Sequence, residues 1–286
     1  MYFDDIRISK SLMFQEGYFL FEDHDTHIHD ILEVGLIIED GVAYQFGEKL
    51  ITGNKGDVFV CRPFEPHWGV SVVGKKLPHK MLLFMPTLAN LIPEGFKLLV
   101  PFYTEWLKSP LIPAESSQAQ IIVENFDRAF STIEGNTDIH QSIQFVCLLE
   151  ILIQIYDYAK LHNNKNTISK DMNDIVYSVQ YLLQNFKEDV DIESVINFTD
   201  YKKSKFFEKF QSFTGTTPHH FLLRIRIQYA MDCLTRFSEM SILNISEECG
   251  FQSLRTFNNQ FKKYTGVTPS QYRTEHSTNN LVNKYL

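Results

Sequence analysis

The stretch Ser241–Arg273, SILNISEECGFQSLRTFNNQFKKYTGVTPSQYR, decides how the rest of the chain is read. Ile242, Ile245 and Cys249 recur at helical spacing behind Ser241, whose hydroxyl suits a helix N-cap, and Gly250 offers the left-handed residue that ends such a helix. Ser253 then opens a second helix. In it Leu254, Phe257, Phe261 and Tyr264 share one face, and Arg255, Thr256, Asn258 and Asn259 are left outward, with Lys262 and Lys263 at the far end. A guanidinium reaches a guanine edge with two hydrogen bonds, and a carboxamide reaches an adenine edge in the same way. Two helices joined by a short glycine-bearing turn place the second of them in a major groove.

The pattern occurs twice. Phe206, Phe210, Phe213, Thr214, Gly215, Thr217, Pro218 and Phe221 return 51 residues later as Phe257, Phe261, Tyr264, Thr265, Gly266, Thr268, Pro269 and Tyr272. In the first copy Ser204, Lys205, Phe207, Glu208 and Lys209 face outward, and an exposed aromatic and an acid there point to shape-based reading of DNA. Between the copies, HHFLLRIRIQYAMDCLTRF reads as one helix from about His219 to Phe237, long enough to hold two recognition helices near successive major-groove faces. With the run Gly250–Arg273 as its clearest part, the segment from about Met172 to Arg273 resembles the DNA-binding domain of the AraC/XylS family of bacterial transcription regulators. It differs from the family pattern at Ile196, Lys202 and Ser246, where a small residue, a capping serine and an alanine are usual.

The total charge of −8 hides a segregation. Lys202–Arg273 holds 11 Lys and Arg against 5 Asp and Glu, a local balance of +6 that leaves −14 for the remainder. The basic module supplies phosphate attraction, whereas the acidic front would be repelled by DNA and must serve another purpose. Cys61, Cys147, Cys233 and Cys249 are widely spaced in apolar stretches and read as reduced core thiols. The start, MYFDDIRISK, shows neither signal peptide nor anchor, so a cytoplasmic protein with no membrane association is expected.

Within an expected sensor domain over 1–113, residues 1 to about 86 read as all-β, with strands at Leu32–Ile38, Val42–Phe46, Asp57–Cys61, Val70–Val73 and Met81–Phe84, and Leu88–Pro113 reads as an apolar, aromatic, proline-broken stretch. HDTHIHDILEVGLIIEDG and GDVFVCRPFEPHW resemble the cupin-like jelly-roll sensor of AraC-type regulators. His27, His29 and Glu33 share odd parity on an extended strand and His67 follows the second motif, so these four, with Trp68 and Trp106, are the expected effector pocket. Three imidazoles and a carboxylate would also suit Fe, Mn, Ni or Zn, as in metal-binding cupin enzymes, but the spacing departs from that pattern, and neither metal nor cofactor is expected.

Two amphipathic helices, Ser117–Ile133 and Ser142–Tyr158, fill a coupling region over 114–161. Their apolar stripes face either the barrel or a second copy, and the resemblance implies a homodimer through them. A polar linker over 162–172 precedes the DNA-binding half, 173–275. The reading is thus a two-domain fold, a jelly-roll sensor with flanking helices followed by an all-α pair of helix-turn-helix units. Its function is a non-enzymatic regulator that binds double-stranded DNA and answers to a small-molecule effector. The rival is a metal-dependent cupin enzyme fused to a DNA-binding module.

Overall fold

A computed structural model describes residues 2–3, 12–21, 27–28, 31–47, 49–62, 66–104, 106–107, 109–134, 138–162 and 170–276. The chain separates into two compact units, and the break falls between Ile168 and Ser169.

In the first unit the strands are β1 (Tyr2–Phe3), β2 (Leu12–Phe19), β3 (His27–Ile28), β4 (Leu32–Ile37), β5 (Val42–Phe46), β6 (Lys49–Gly53), β7 (Val58–Cys61), β8 (His67–Ser71), β9 (Leu77–Phe84) and β10 (Leu111–Ile112). They form two five-stranded sheets, ordered β1-β3-β8-β5-β6 and β10-β7-β4-β9-β2. All pairings are antiparallel except that of β1 with β3. The strand read from Val70 to Val73 lies earlier, at His67–Ser71, and β1, β2, β3, β6 and β10 are additions to the five expected strands. β6 gave no periodic signal because its first four residues are exposed or only partly covered.

Directly paired residues share a face of a sheet, so the register sorts the side chains. Phe59 and Cys61 of β7, Ile37 of β4, Phe19 of β2 and Leu77 of β9 point between the sheets, where they meet Val42, Tyr44 and Phe46 of β5. The Tyr44 and Phe59 rings lie 3.9 Å apart, centroid to centroid. The other face of the β4-β9-β2 surface is covered by α3 (Ser117–Glu134), with Phe14 edge-on to Phe126 at 5.6 Å and Lys80 paired to Asp127 at 2.8 Å. Covered on both faces, β4 is buried along its whole length, which is why LEVGLI reads as an almost continuous apolar run.

Between β9 and β10 the chain makes a 3-10 turn and two short helices, α1 (Gly95–Leu98) and α2 (Val100–Tyr103). Next to α3 lies α4 (His140–His162), which buries Cys147, Leu148, Ile151, Leu152 and Ile155. By length and composition alone α4 could cross a membrane, with a mean hydropathy of 1.3 over its most apolar window. Its packing on α3 and β2 identifies it as a core helix of this unit.

The second unit is helical: α5 (Lys170–Asn185), α6 (Ile192–Asn197), α7 (Lys203–Thr214), α8 (Pro218–Arg236), α9 (Ile242–Glu248), α10 (Leu254–Thr265) and α11 (Pro269–His276). α5 begins inside the stretch read as linker, because Lys170, Asp171 and Met172 extend its helix by most of a turn. The last helix, α11, is an addition: Thr268 caps it by accepting from the Gln271 backbone N–H, and Pro269 opens it.

Candidate nucleic-acid interface and sensor interior

The 51-residue repeat is a structural repeat in its ring contacts and in the threonine-glycine turns that close each copy. Phe206 stands 5.7 Å from Phe210, which meets Phe221 edge-on at 5.6 Å. In the second copy Phe257 stands 5.6 Å from Phe261, which meets Tyr272 edge-on at 5.5 Å. Phe206, Phe210, Phe257 and Phe261 are fully buried; the Phe213 side chain lies outside the described set.

The Thr-Gly-x-Thr-Pro segment that closes each copy is a stop-and-restart device. Thr214 donates to the carbonyls of Phe210 and Thr216 at 2.8 and 3.0 Å, and Thr265 to those of Phe261 and Val267 at 2.9 and 3.0 Å. Gly215 and Gly266 follow at φ +73° and +81°, the left-handed cap that ends a helix at low cost. Thr217 and Thr268 then cap the next helix ahead of Pro218 and Pro269.

The two recognition helices differ at their starts. Ser253 accepts from the Thr256 backbone N–H at 3.1 Å and donates to its hydroxyl at 2.8 Å, so Thr256 is held by the cap as well as outward-facing. Lys202, at the corresponding end of α7, makes no side-chain cap bond. On α10, Arg255, Thr256, Asn259, Lys262 and Lys263 are exposed and Asn258 is partly covered. Among the described residues Arg255, Lys262 and Lys263 enter no ion pair, leaving their charge for an outside partner. On α7, Ser204, Lys205 and Glu208 are exposed, while Phe207 and Lys209 are partly covered. Lys205 is tied to Glu208 at 2.7 Å, and Phe207 leans on the His219 ring at 5.7 Å. The first copy therefore presents a partly neutralised, more apolar face than the second.

Both copies are fastened to one framework by α8. Arg226 donates from Nε to the Phe186 carbonyl and from Nη2 to the Glu188 carbonyl, both at 2.7 Å. Its guanidinium lies 6.0 Å from the Phe251 ring, at the turn between α9 and α10. Lys187 donates to the Tyr229 hydroxyl at 2.7 Å and lies 3.7 Å from Glu248. The end of α5, the middle of α8 and the second turn thus form one seam.

In the first unit, three of the chemistry-bearing side chains converge between the sheets. Glu33 pairs with Cys61 across β4 and β7, and His67 pairs with Phe46 across β8 and β5. The Glu33 carboxylate is 3.8 Å from His67 Nε2 and 3.9 Å from Cys61 Sγ, and all three residues are buried. Tyr44 projects into the same interior, and its phenol is pushed well above its ordinary pKa by burial first and by Glu33 and Cys61 next.

The expected pocket needs correcting at several positions. His27 and Glu33 do not lie on one strand: β3 belongs to one sheet and β4 to the other, so shared parity does not put them on a common face. The backbone of His27 pairs with His67, but its side chain and the whole of His29 lie outside the described residues. Trp68 pairs with Gln45 and so points away from the interior that holds His67. Trp106 is buried against Tyr156 of α4 at 5.3 Å, in the helical cover and not with the Glu33 group. Cys61, read as a plain core thiol, is the member that sequence reasoning missed.

His79 of β9 is also buried here, its ring 4.3 Å from Phe19. Neither ring nitrogen has a hydrogen-bond partner among the described residues, and burial lowers its pKa to about 4, with Glu33 opposing. The unfolded chain therefore binds a proton below about pH 6.5 that the folded unit refuses. The first unit is expected to lose stability as the pH falls from about 6.5 to about 4, by ~3 kcal/mol in total. Trp68 and Trp106 are the only tryptophans, so denaturant titrations followed by their fluorescence report this unit alone. His79→Leu should be less pH-sensitive than the wild type across that window; an unchanged slope would show that His79 is not the titrating group.

Two family profiles match the chain: "AraC-like ligand binding domain" over residues 14–132 and "Helix-turn-helix domain" over residues 197–275. The lactose operon transcription activator of Staphylococcus xylosus is 26% identical over 165 residues, covering 51% of this chain and 59% of that protein. An HTH-type transcriptional regulator of Staphylococcus aureus (strain COL) is 27% identical over 148 residues, covering 51% of this chain and 20% of that protein. The match thus spans less than two thirds of either relative's own length. Among solved structures, ToxT from Vibrio cholerae O395 bound to (E)-4-(8-methylnaphthalen-1-yl)but-3-enoic acid is similar over 94% of this chain and 100% of that one, at 15% identity and a TM-score of 0.49. The DNA-binding domain of AdpA in complex with a target DNA is similar over 36% of this chain and 91% of that one, at 25% identity and a TM-score of 0.34.

Proposed function

The chain belongs to the AraC family, which joins an AraC-like ligand binding domain to a helix-turn-helix domain, and on that premise we propose that it is a sequence-specific, DNA-binding transcription regulator. The observation that carries the proposal is the duplicated recognition unit, two buried phenylalanine ladders each holding a polar helix face outward from one framework. At ~1.5 Å per residue α8 is ~28 Å long, which suits helices entering successive major-groove segments on one side of a duplex. The first unit serves as the sensor for a small molecule, and no catalytic step is assigned to it.

Homodimerisation is part of the proposal. Ile139, Val146 and Leu161, on or beside α4, are 59%, 49% and 64% exposed on an otherwise apolar helix, a surface that a second copy would cover. A cytoplasmic location goes with the same reading. The domain limits that go with this reading are a sensor at 1–113, a coupling region at 114–161, a linker at 162–172 that yields His162 to α4 and its last three residues to α5, and a DNA-binding domain through 275.

The two kinds of contact on α10 separate experimentally. Arg255 and Asn259 occupy the face opposite the Phe257 and Phe261 ladder, where side chains reach base edges, while Lys263 lies at the end nearer the phosphates. Arg255→Ala or Asn259→Ala should cost ~1 to 3 kcal/mol at the operator and relax preference at particular base pairs. Lys263→Ala should weaken all duplexes alike and lower the salt slope by about one. Duplexes selected from a random pool, titrated by fluorescence anisotropy over a range of salt, test both. An unchanged ratio of specific to unspecific affinity in Arg255→Ala and Asn259→Ala, with helicity intact, would mean that α10 is not the reader.

A further inference from the structure

We propose that Glu33, Cys61 and His67 bind a divalent transition-metal ion of the zinc class inside the sensor barrel. The three residues come from three strands and two sheets: β4 and β7 bring Glu33 and Cys61 together as a register pair, and β8 carries His67 across from the opposing sheet. One ligand atom from each lies within 4.8 Å of the other two. Exposures of 4%, 0% and 1% place the whole set out of solvent.

The donor chemistry narrows the ion. A carboxylate oxygen, a thiol sulfur and an imidazole nitrogen form a mixed set of hard and soft donors that suits zinc, whereas magnesium and calcium take oxygen donors. The geometry is close to what such an ion needs. In a tetrahedral zinc site with bonds of about 2.0 to 2.3 Å, neighbouring ligand atoms sit roughly 3.3 to 3.6 Å apart. Here His67 Nε2 lies 3.8 Å from Glu33 Oε2 and Cys61 Sγ lies 3.9 Å from Oε1, and one donor atom of each residue lies within 4.8 Å of the others, so an ion would draw them inward by up to ~1 Å. Strand backbones fix all three residues, and three protein donors leave a fourth position for water or a ligand. An ion held there would tie the two sheets together across the barrel.

Cys61 makes the proposal testable by spectroscopy, because thiolate bound to cobalt(II) absorbs in the near ultraviolet. Reduced, chelator-treated full-length protein is titrated with cobalt(II) in the absence of DNA. The expected result is one equivalent bound with a sulfur-to-cobalt charge-transfer band, displaced by one equivalent of zinc(II). Cys61→Ser should abolish the band, and a variant with Cys147, Cys233 and Cys249 all changed to serine should keep it. Loss of an outer partner of a metal ligand costs about 10- to 100-fold in affinity, and Glu33→Gln or His67→Gln, which remove ligands outright, should cost at least as much.

If Cys61→Ser does not fold, the triple serine variant alone decides, since a band retained there can come only from Cys61. Absence of the band in wild-type protein, a band lost in the triple variant, or substoichiometric cobalt would each overturn the site. None of these outcomes touches the DNA-binding proposal, which is measured on the second unit.

Discussion

Gly250→Ala is expected to remove ~2 to 5 kcal/mol from the second unit and to abolish operator binding, although the residue lies outside the helix proposed to read DNA. Two costs combine. At φ +79° an L-residue adds ~1 to 2 kcal/mol of backbone strain. A β-carbon there would stand 2.6 Å from the Lys187 carbonyl oxygen and 2.7 Å from that of Phe186, which adds a further ~1 to 3 kcal/mol. Both obstacles are backbone atoms, so no side chain can swing aside. The Phe186 carbonyl also accepts from Arg226, and any retreat by α5 would stretch that bond.

Gly266→Ala is the matched control. Its φ is +81°, yet nothing lies within 4 Å of the added carbon, so it should cost only the ~1 to 2 kcal/mol of strain. Denaturation of the full chain followed by far-ultraviolet circular dichroism should show the helical transition of Gly250→Ala shifted well below that of Gly266→Ala. The tryptophan transition, which belongs to the first unit, should not move in either. Equal losses in the two variants would show that the seam between α5 and the second turn is not tightly packed.

The contrast between the two halves explains how much the sequence disclosed. Helix-turn-helix signals are local. The caps Ser241 and Ser253, the stops Gly250 and Gly266 and the spacing of Phe257 and Phe261 all lie within 26 residues, and each has the conformation its chemistry demands. A jelly roll is assembled from distant pairings, so strand existence is legible and register is not. Parity carried from His27 to Glu33 as though along one strand failed because the chain crosses between sheets after Ile28. The partnership of Glu33 with Cys61 spans 28 residues and is set by pairing alone. Adjacent residues on a strand face opposite ways, so Trp68 does not share the interior of His67, a relation that strand alternation alone requires.

Phe261→Ala should be the most damaging single truncation in the second unit, at ~3 to 5 kcal/mol, the usual cost of emptying a fully buried aromatic site. The ring sits between Phe257 at 5.6 Å and Tyr272 at 5.5 Å, so its loss removes the link between α10 and α11 as well as apolar burial. Ile245 of α9, Leu234 of α8 and Cys249 at the end of α9 belong to the same buried cluster, which limits how far the cavity can collapse. Against a typical domain stability of ~5 to 15 kcal/mol, a large fraction is gone, and the second recognition helix should melt at temperatures where the first unit remains folded. Arg255→Ala, by contrast, should lose specificity with its helical transition in place. Anisotropy with selected and unrelated duplexes, run alongside circular dichroism, distinguishes the two kinds of loss. The outcome that would sink this account is a Phe261→Ala protein that keeps its wild-type helical midpoint, because the repeat would then be a sequence pattern without a packed core behind it.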